Sequence, residues 1–190
     1  MKELIVVAGA NGSGKTTFAK QLVLETGYEF LNADEIEKNW TEPDASPKLE
    51  AGRLFFKRLG ELTEAGQSFI LESTLSGKYL LNFIEKAQVQ GYVFKLFYVF
   101  LDSPDVCIER IKNRVKLGGH FVLDADVRRR YYRSKRNFWL VYKNLAEEWI
   151  VFHNPTPGTN SPIVAGFQKG YLMEDELLFQ QFVNDIPQWR

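Results

Sequence analysis

Gly9-Ala10-Asn11-Gly12-Ser13-Gly14-Lys15-Thr16 decides how this chain is read. The octapeptide satisfies G-x-x-x-x-G-K-[ST] at every required position. A loop that wraps an anion in successive backbone N–H groups needs residues that tolerate unusual φ/ψ and close approach, and Gly9, Gly12 and Gly14 supply them. Lys15 can reach the β- and γ-phosphates, and the Thr16 hydroxyl can take one position on Mg²⁺. The helix that would begin near Lys15 and carry Thr16 and Thr17 aims its N-terminal N–H groups at the same anion. The prediction is a phosphate-binding loop for ATP or GTP with Mg²⁺, whose remaining contacts come from Ala10, Asn11 and Ser13.

The flanks agree with that prediction. Residues 4–8 form a short continuous apolar run, as expected of a strand covered on both faces. Residues 15–25 place Phe18, Ala19, Leu22 and Val23 at helical spacing, and Gly27 stops the helix. Further out, strands are expected at 28–31, 68–71, 92–101 and 149–152, with a sixth short one at 163–167. Helices are expected between them. A brief one covers 34–40. A long one opened by Pro47 runs to near Gly66, with Leu49, Leu54, Phe55, Leu59 and Leu62 inward. Residues 78–90 follow with Leu81, Ile84 and Val89 inward. The next is capped by Ser103 with Pro104 in its first turn and Val106, Cys107, Ile111 and Val115 as its apolar face. Gly118-Gly119 breaks it, a long polar helix spans 124–148, and a terminal helix spans 174–184. Phe55, Phe56, Phe94, Phe97 and Tyr98 are assigned to the core. Alternating strands and helices of this kind predict an α/β fold, a mainly parallel sheet of five to six strands with helices on both faces, in a single domain over 1–190. The part after residue 160 is read as one strand and one helix.

Composition limits the function classes. The chain has 190 residues, with 45% hydrophobic and 25% charged residues, which is ordinary for a globular protein. Lys+Arg and Asp+Glu both number 24, so net charge gives no reason to expect a nucleic-acid or membrane partner. The single cysteine, Cys107, cannot form an intramolecular disulfide and reads as a buried helix residue, in keeping with a reducing cytoplasm. The N-terminal apolar run is too short for a signal-peptide core or a membrane span.

A kinase needs a group to orient and deprotonate the acceptor hydroxyl, and cations around the γ-phosphate. In an open parallel sheet these groups lie just past the carboxyl ends of strands. Asp34, in LNADEI after the second strand, meets that requirement as a candidate base; its alternative role is a helix N-cap. Glu72, in FILEST at the end of the third strand, follows three apolar residues, where a carboxylate is costly unless paired or metal-linked. Thr74 either meets substrate or caps the next helix. Arg110 and Arg114 share a helix face at i, i+4. Gly118-Gly119-His120 forms a joint, and Arg128, Arg129, Arg130, Arg133 and Arg136 follow. A glycine-jointed, arginine-bearing segment is what a lid over triphosphate requires, with Arg110 as the first candidate. The alternatives are a solvated basic face or a nucleic-acid surface. His153 reads as a hydrogen-bonded strand-end residue, and Asn154 with the PTPGTN loop lies where an adenine could rest.

GANGSGKTT, NADEI, the AGR of residues 51–53, ESTLSGK, IER, GGHFV and RRRYYRSKRN occur in an order that resembles the zeta-toxin family, over residues 4–155. The resemblance implies a P-loop kinase fold and phosphorylation of UDP-N-acetylglucosamine on its sugar. It also implies a small helical antitoxin that blocks the nucleotide site. By residue it implies Lys15 on the phosphates, Asp34 as catalytic base, Glu72 and Thr74 on the substrate, and Arg110 on the transferring phosphate. Arg53, Arg114 and His120 join the candidate substrate contacts. Two features depart from the family pattern. Gly119-His120 stands in the stretch that carries a second lid arginine, leaving Arg114 and Arg128–Arg130 as candidates for that role. Ser76-Gly77 stands where a substrate-loop arginine follows the Glu/Thr pair.

Overall fold

The first strand, β1 (Lys2–Ala8), is buried from Leu4 to Ala8, as a strand flanked by two others and covered on both faces must be. The computed structural model describes residues 1–38, 47–155 and 162–186. Along the chain follow α1 (Lys15–Thr26), β2 (Glu29–Leu31), α2 (Ala33–Lys38), α3 (Pro47–Glu64), β3 (Phe69–Ser73), α4 (Leu81–Val89), β4 (Tyr92–Phe100) and α5 (Pro104–Lys116). Then come α6 (Asp124–Leu140), a 3₁₀ turn (Tyr142–Asn144), β5 (Glu148–His153), β6 (Ile163–Phe167), β7 (Tyr171–Met173) and α7 (Glu176–Asn184).

The strands form one sheet in the order β2-β3-β1-β4-β5-β6-β7. The first five are parallel, and β6 and β7 add antiparallel at the edge. On one face Leu4, Val6, Leu71, Phe94 and Leu96 pack with Phe55, Leu59 and Leu62 of α3, Ile84 of α4, Phe138 of α6 and Phe182 of α7. On the other, Ile5, Val7, Ile70, Val99 and Ile150 pack under Ala19, Phe18 and Leu22 of α1. At the carboxyl end of the sheet, Ala10 and Leu101 pack with Cys107, Ile108 and Ile111 of α5 and Val127 and Tyr131 of α6. Helices therefore lie on both faces, and the phosphate-loop segment sits where α5 and α6 meet the strand ends.

Several sequence expectations need correction. Among the described residues the sheet has seven strands, not five or six: β7 was not foreseen, so the described part after residue 160 carries two strands and a helix. Leu49 and Leu54 are exposed on α3, and Val89 is exposed at the end of α4, where Ala87 faces the core instead. Phe56 is also exposed, outside the core assigned to it. The polar helix ends at Leu140, because Val141 leaves helical geometry (φ −125°, ψ −70°) and Tyr142 begins a 3₁₀ turn. That helix is not uniformly solvated. Lys135 is buried, paired with Asp185 at 2.6 Å and set against the rings of Phe100, Tyr131 and Phe182. Burial lowers the Lys135 pKa, and the Asp185 carboxylate opposes that shift. Residues 39–46 and the 156–160 part of the PTPGTN loop lie outside the described residues.

The expectations for Cys107 and Ser103 hold. Cys107 is buried, and burial pushes its thiol up to about 12. Ser103 caps α5, its Oγ accepting from the Val106 N–H at 3.3 Å, with Pro104 in the first turn. Ser103→Ala should lower unfolding stability by about 1 kcal/mol, read from urea denaturation; an unchanged midpoint would mean the cap contributes nothing. None of the described helices is long and apolar enough to cross a membrane.

Candidate active site

The register of the sheet sets the site. Val7 is opposite Glu72 and Ala8 opposite Ser73, so the chain leaves β1 at Gly9 beside the end of β3. Side chains alternate along a strand, so Glu72 lies on the same side as Ile70, under α1. A carboxylate there meets the first turn of α1. Glu72 is 6% exposed, and its Oε1 accepts from Lys15 Nζ at 3.0 Å and from Thr16 Oγ1 at 3.1 Å. Its Oε2 accepts from Asn32 Nδ2 at 2.8 Å. These three donors are the partners that make a buried carboxylate tolerable. Glu72 stands inside β3 rather than beyond its end.

The loop itself is shaped by its glycines. Gly12 and Gly14 have φ of +83° and +93°. A Cβ on Gly9 would lie 2.3 Å from the Val99 carbonyl oxygen, and one on Gly14 would lie 2.1 Å from Asn154 Nδ2. The turn closes with the Ser13 N–H donating to Ala10 O at 3.2 Å. Ser13 Oγ is buried and has no hydrogen-bond partner among the described residues. A glycine cradle with no room for side chains, a buried orphan hydroxyl, an ammonium and a second hydroxyl at a helix N-terminus form a donor set that fits a polyphosphate. Thr17, the last residue of the expected set, is exposed on α1.

Asn32 was not singled out in the sequence, yet it joins the two halves of the site. While its Nδ2 holds Glu72, its Oδ1 accepts from the N–H groups of Asp34 (2.8 Å) and Glu35 (3.3 Å). It therefore caps α2, and Asp34 is left in the first helical turn with an exposed side chain. The N-cap alternative for Asp34 is thereby removed. A cavity of about 430 Å³ opens between α2 and the end of α5. Thr16, Asn32, Asp34, Arg114, Gly119 and His120 are among its walls. Tyr79 shares a hydrogen bond between its hydroxyl and Ser73 Oγ at 2.9 Å. Burial of its hydroxyl raises the phenol pKa, and the Asp34 charge adds to that.

The arginines separate clearly. Arg130 Nη1 donates to Asn11 Oδ1 at 3.1 Å, placing an α6 cation over the loop. Arg128 pairs with Asp105 and Arg129 with Asp126, both in exposed positions. Arg114 lines the cavity and donates to the His120 carbonyl at 2.8 Å. Gly119 is needed there, since its Cβ would lie 2.4 Å from Arg114 Cγ. Arg110 points elsewhere: Nη2 donates to the Asn154 and Pro155 carbonyls at 2.8 and 2.9 Å. Arg53 pairs with Glu50 on an exposed face of α3 and is not among the cavity walls. Thr74 hydrogen-bonds Ser76 Oγ at 3.0 Å in the loop after β3, beside Leu75, whose φ is +50°. That loop is held by α6 and the turn after it, with Asn137 donating to Leu75 O and Tyr142 to Gly77 O. His153 ends β5 bonded to Asp102 at 2.8 Å, as a strand-end residue should be.

A five-strand parallel core, a glycine loop between β1 and α1, and a buried carboxylate on the neighbouring strand define a P-loop nucleotide-binding domain of the kinase type. The chain belongs to the family described as AAA domain, which matches residues 4–136. An uncharacterized protein from Haemophilus influenzae is 31% identical over 133 residues, covering 67% of this chain and 91% of that one. A cytidylate kinase from Archaeoglobus fulgidus is 25% identical over 158 residues, covering 78% and 81%. Among solved structures, AvrRxo1-ORF1:-ORF2 with ATP superposes at a TM-score of 0.73 and 16% identity, over 100% of this chain and 65% of that one. The PezAT chromosomal toxin-antitoxin system of Streptococcus pneumoniae gives 0.65 at 15% identity, over 100% of this chain and 80% of that one. At such identities the two superpositions establish the fold.

Proposed function

We propose that the chain, as one domain, transfers the γ-phosphoryl group of ATP to a hydroxyl of a small molecule, in the manner of zeta toxins, with Asp34 as the base. The observation that carries this reading is the shared cavity. Thr16, from the phosphate loop, and Asp34, an exposed carboxylate on a separate element, face the same 430 Å³ space. An acceptor there has its hydroxyl between a proton acceptor and the nucleotide. Its oxygen attacks the γ-phosphorus, the bond to the β–γ bridging oxygen breaks, ADP leaves, and the hydroxyl proton passes to Asp34. Lys15 and Arg130 hold the phosphates, while Arg114 and His120 face the acceptor. Mg²⁺, held by Thr16 with Glu72 behind it, would neutralise charge on the β- and γ-oxygens.

The acceptor implied by the zeta-toxin resemblance is UDP-N-acetylglucosamine; similarity to a cytidylate kinase makes cytidine monophosphate the contrasting choice. The setting of this chemistry is the cytoplasm, and the toxin-like reading includes a small helical antitoxin over the nucleotide site. Purified protein with γ-labelled ATP or GTP should pass label to a hydroxyl of UDP-N-acetylglucosamine or of another sugar nucleotide, whereas label on the phosphate of cytidine monophosphate would replace the hydroxyl acceptor with a nucleotide phosphate. Label reaching only water would overturn the kinase reading in favour of a nucleotide-gated module. Arg130→Ala should lower the transfer rate constant about 100-fold while nucleotide affinity changes little, because its cation matters most as charge moves onto the leaving oxygen. Arg130→Lys should recover part of that loss, and equal rates for all three proteins would remove Arg130 from the reaction.

A further inference from the structure

We propose that Arg110 is a positioning residue that sets the shape of the phosphate loop through Asn154, rather than a ligand of the transferring phosphate. This rests on the nucleotide-binding reading of the loop. Asn154 leaves β5 with its N–H donating to Phe100 O at 3.0 Å, which fixes its backbone to the end of β4. Its side chain turns back toward β1, and Nδ2 donates to the Ser13 carbonyl at 2.7 Å. The amide is 7% exposed and packs so closely on Gly14 that a Cβ there would fall 2.1 Å from Nδ2.

That one bond orients the Ser13–Gly14 peptide. Turning the Ser13 oxygen toward Asn154 turns the Gly14 N–H to the opposite side, since a trans peptide holds the two groups antiparallel. The Gly14 N–H is one of the donors a phosphate needs from this loop. Asn154 is in turn held by Arg110, whose Nη2 spans the carbonyls of Asn154 and Pro155. The guanidinium is half-buried against them, and burial lowers its pKa. Charge-assisted bonds to two successive carbonyls fix the turn after β5 more firmly than neutral ones would. The continuous path is α5 Arg110, the 154–155 backbone, the Asn154 amide and the Ser13 carbonyl. Phosphate contact is left to Arg130 and Lys15.

The inference is tested first without nucleotide. In the apo protein, Arg110→Met, which keeps the length and loses every donor, should speed amide hydrogen exchange at residues 11–15 about tenfold while strand amides of β1 and β4 stay unchanged. Arg110→Lys should restore most of the protection. Next, calorimetry with Mg·ADP and Mg·ATP should show the two affinities falling by the same factor in Arg110→Met, again about tenfold. In an Asn154→Ala background the Arg110→Met change should add less than about twofold, because its route is already cut.

An arginine that binds the γ-phosphate would give the opposite pattern. ATP affinity would fall more than ADP affinity, the loss would persist in the Asn154→Ala background, and apo exchange would not change. Any of these three results overturns the proposal. Faster exchange throughout the sheet would also overturn it, since Arg110 would then be supporting the fold at large. Wild-type protein that binds neither nucleotide would sink the nucleotide reading, and the apo exchange result would still decide whether Arg110 positions the loop through Asn154.

Discussion

Lys15→Met is expected to weaken Mg·ATP binding by about 100-fold or more and, separately, to destabilise the nucleotide-free fold by about 3 kcal/mol. The two effects share one cause. Lys15 Nζ is 3.0 Å from Glu72 Oε1, and both side chains are below one-tenth exposed. Removing the ammonium takes away the cation proposed for the β- and γ-phosphates and strands a buried carboxylate. Asn32 and Thr16 still donate to Glu72, but neither cancels its charge. The remaining negative charge would also face the incoming phosphates. Lys15→Met/Glu72→Gln separates the effects: the double variant should regain most of the lost stability, because the neutral amide needs no counter-ion, and should still fail to bind. Calorimetry gives the affinity and urea denaturation the stability. If the double variant bound Mg·ATP within tenfold of wild type, Lys15 would not be the phosphate cation, and the assignment of the loop would fall.

Much of this arrangement was legible in the sequence, for identifiable reasons. The glycine loop needs glycine at fixed positions, so its pattern survives in one dimension. The run at residues 4–8 is continuous because β1 is covered on both faces. What escaped was set by tertiary contacts. Leu49, Leu54 and Val89 match helical spacing, but the sheet touches only a narrow stripe of α3 and α4, and these residues fall beside it. Strand β7 has three residues with exposed ends, too short and too wet to show alternation. The break after Leu140 carries no glycine or proline; Tyr142 follows it with a buried ring and a hydroxyl that donates to Gly77 O.

The site divides the same way. Asp34, Glu72 and Thr16 were found because strand ends and the loop pattern point to them. Asn32 has no motif that separates it from any loop asparagine, and Asn154 was read as lying near an adenine, whereas its amide donates to the Ser13 carbonyl; both roles exist only when β2, β3 and β5 end beside α1. Arg130 was one of several arginines on a basic helix, and only its approach to Asn11 distinguishes it from Arg128 and Arg129. Arg110 was expected on the transferring phosphate, but its guanidinium faces the Asn154 and Pro155 carbonyls. Charge pattern locates a cation on a helix; it does not give the partner at the end of a long side chain.

Asp34→Asn carries the second large effect: transfer to the acceptor should fall by about 100- to 10,000-fold, while Mg·ATP affinity stays within about threefold. The asymmetry follows from where Asp34 stands. It lies on α2 and shares the cavity with Thr16, with an exposed side chain whose removal strands no buried partner. Its N–H is held by Asn32 Oδ1, so asparagine keeps the same backbone and volume and loses only the proton acceptor. Stability should change by no more than about 0.5 kcal/mol, the size of a lost carboxylate at a helix N-terminus. Single-turnover transfer to whichever acceptor takes up the γ-label gives the rate, and calorimetry gives the affinity. The Tyr79 hydroxyl offers an internal control. Its pKa is raised partly by the Asp34 charge, so Asp34→Asn should let that phenol ionise at lower pH, readable by ultraviolet titration. A variant with the Tyr79 shift and full transfer activity would have lost its charge at no cost to the reaction. The base would then be another group on the cavity wall, with Glu35 and Glu37 the carboxylates to replace next.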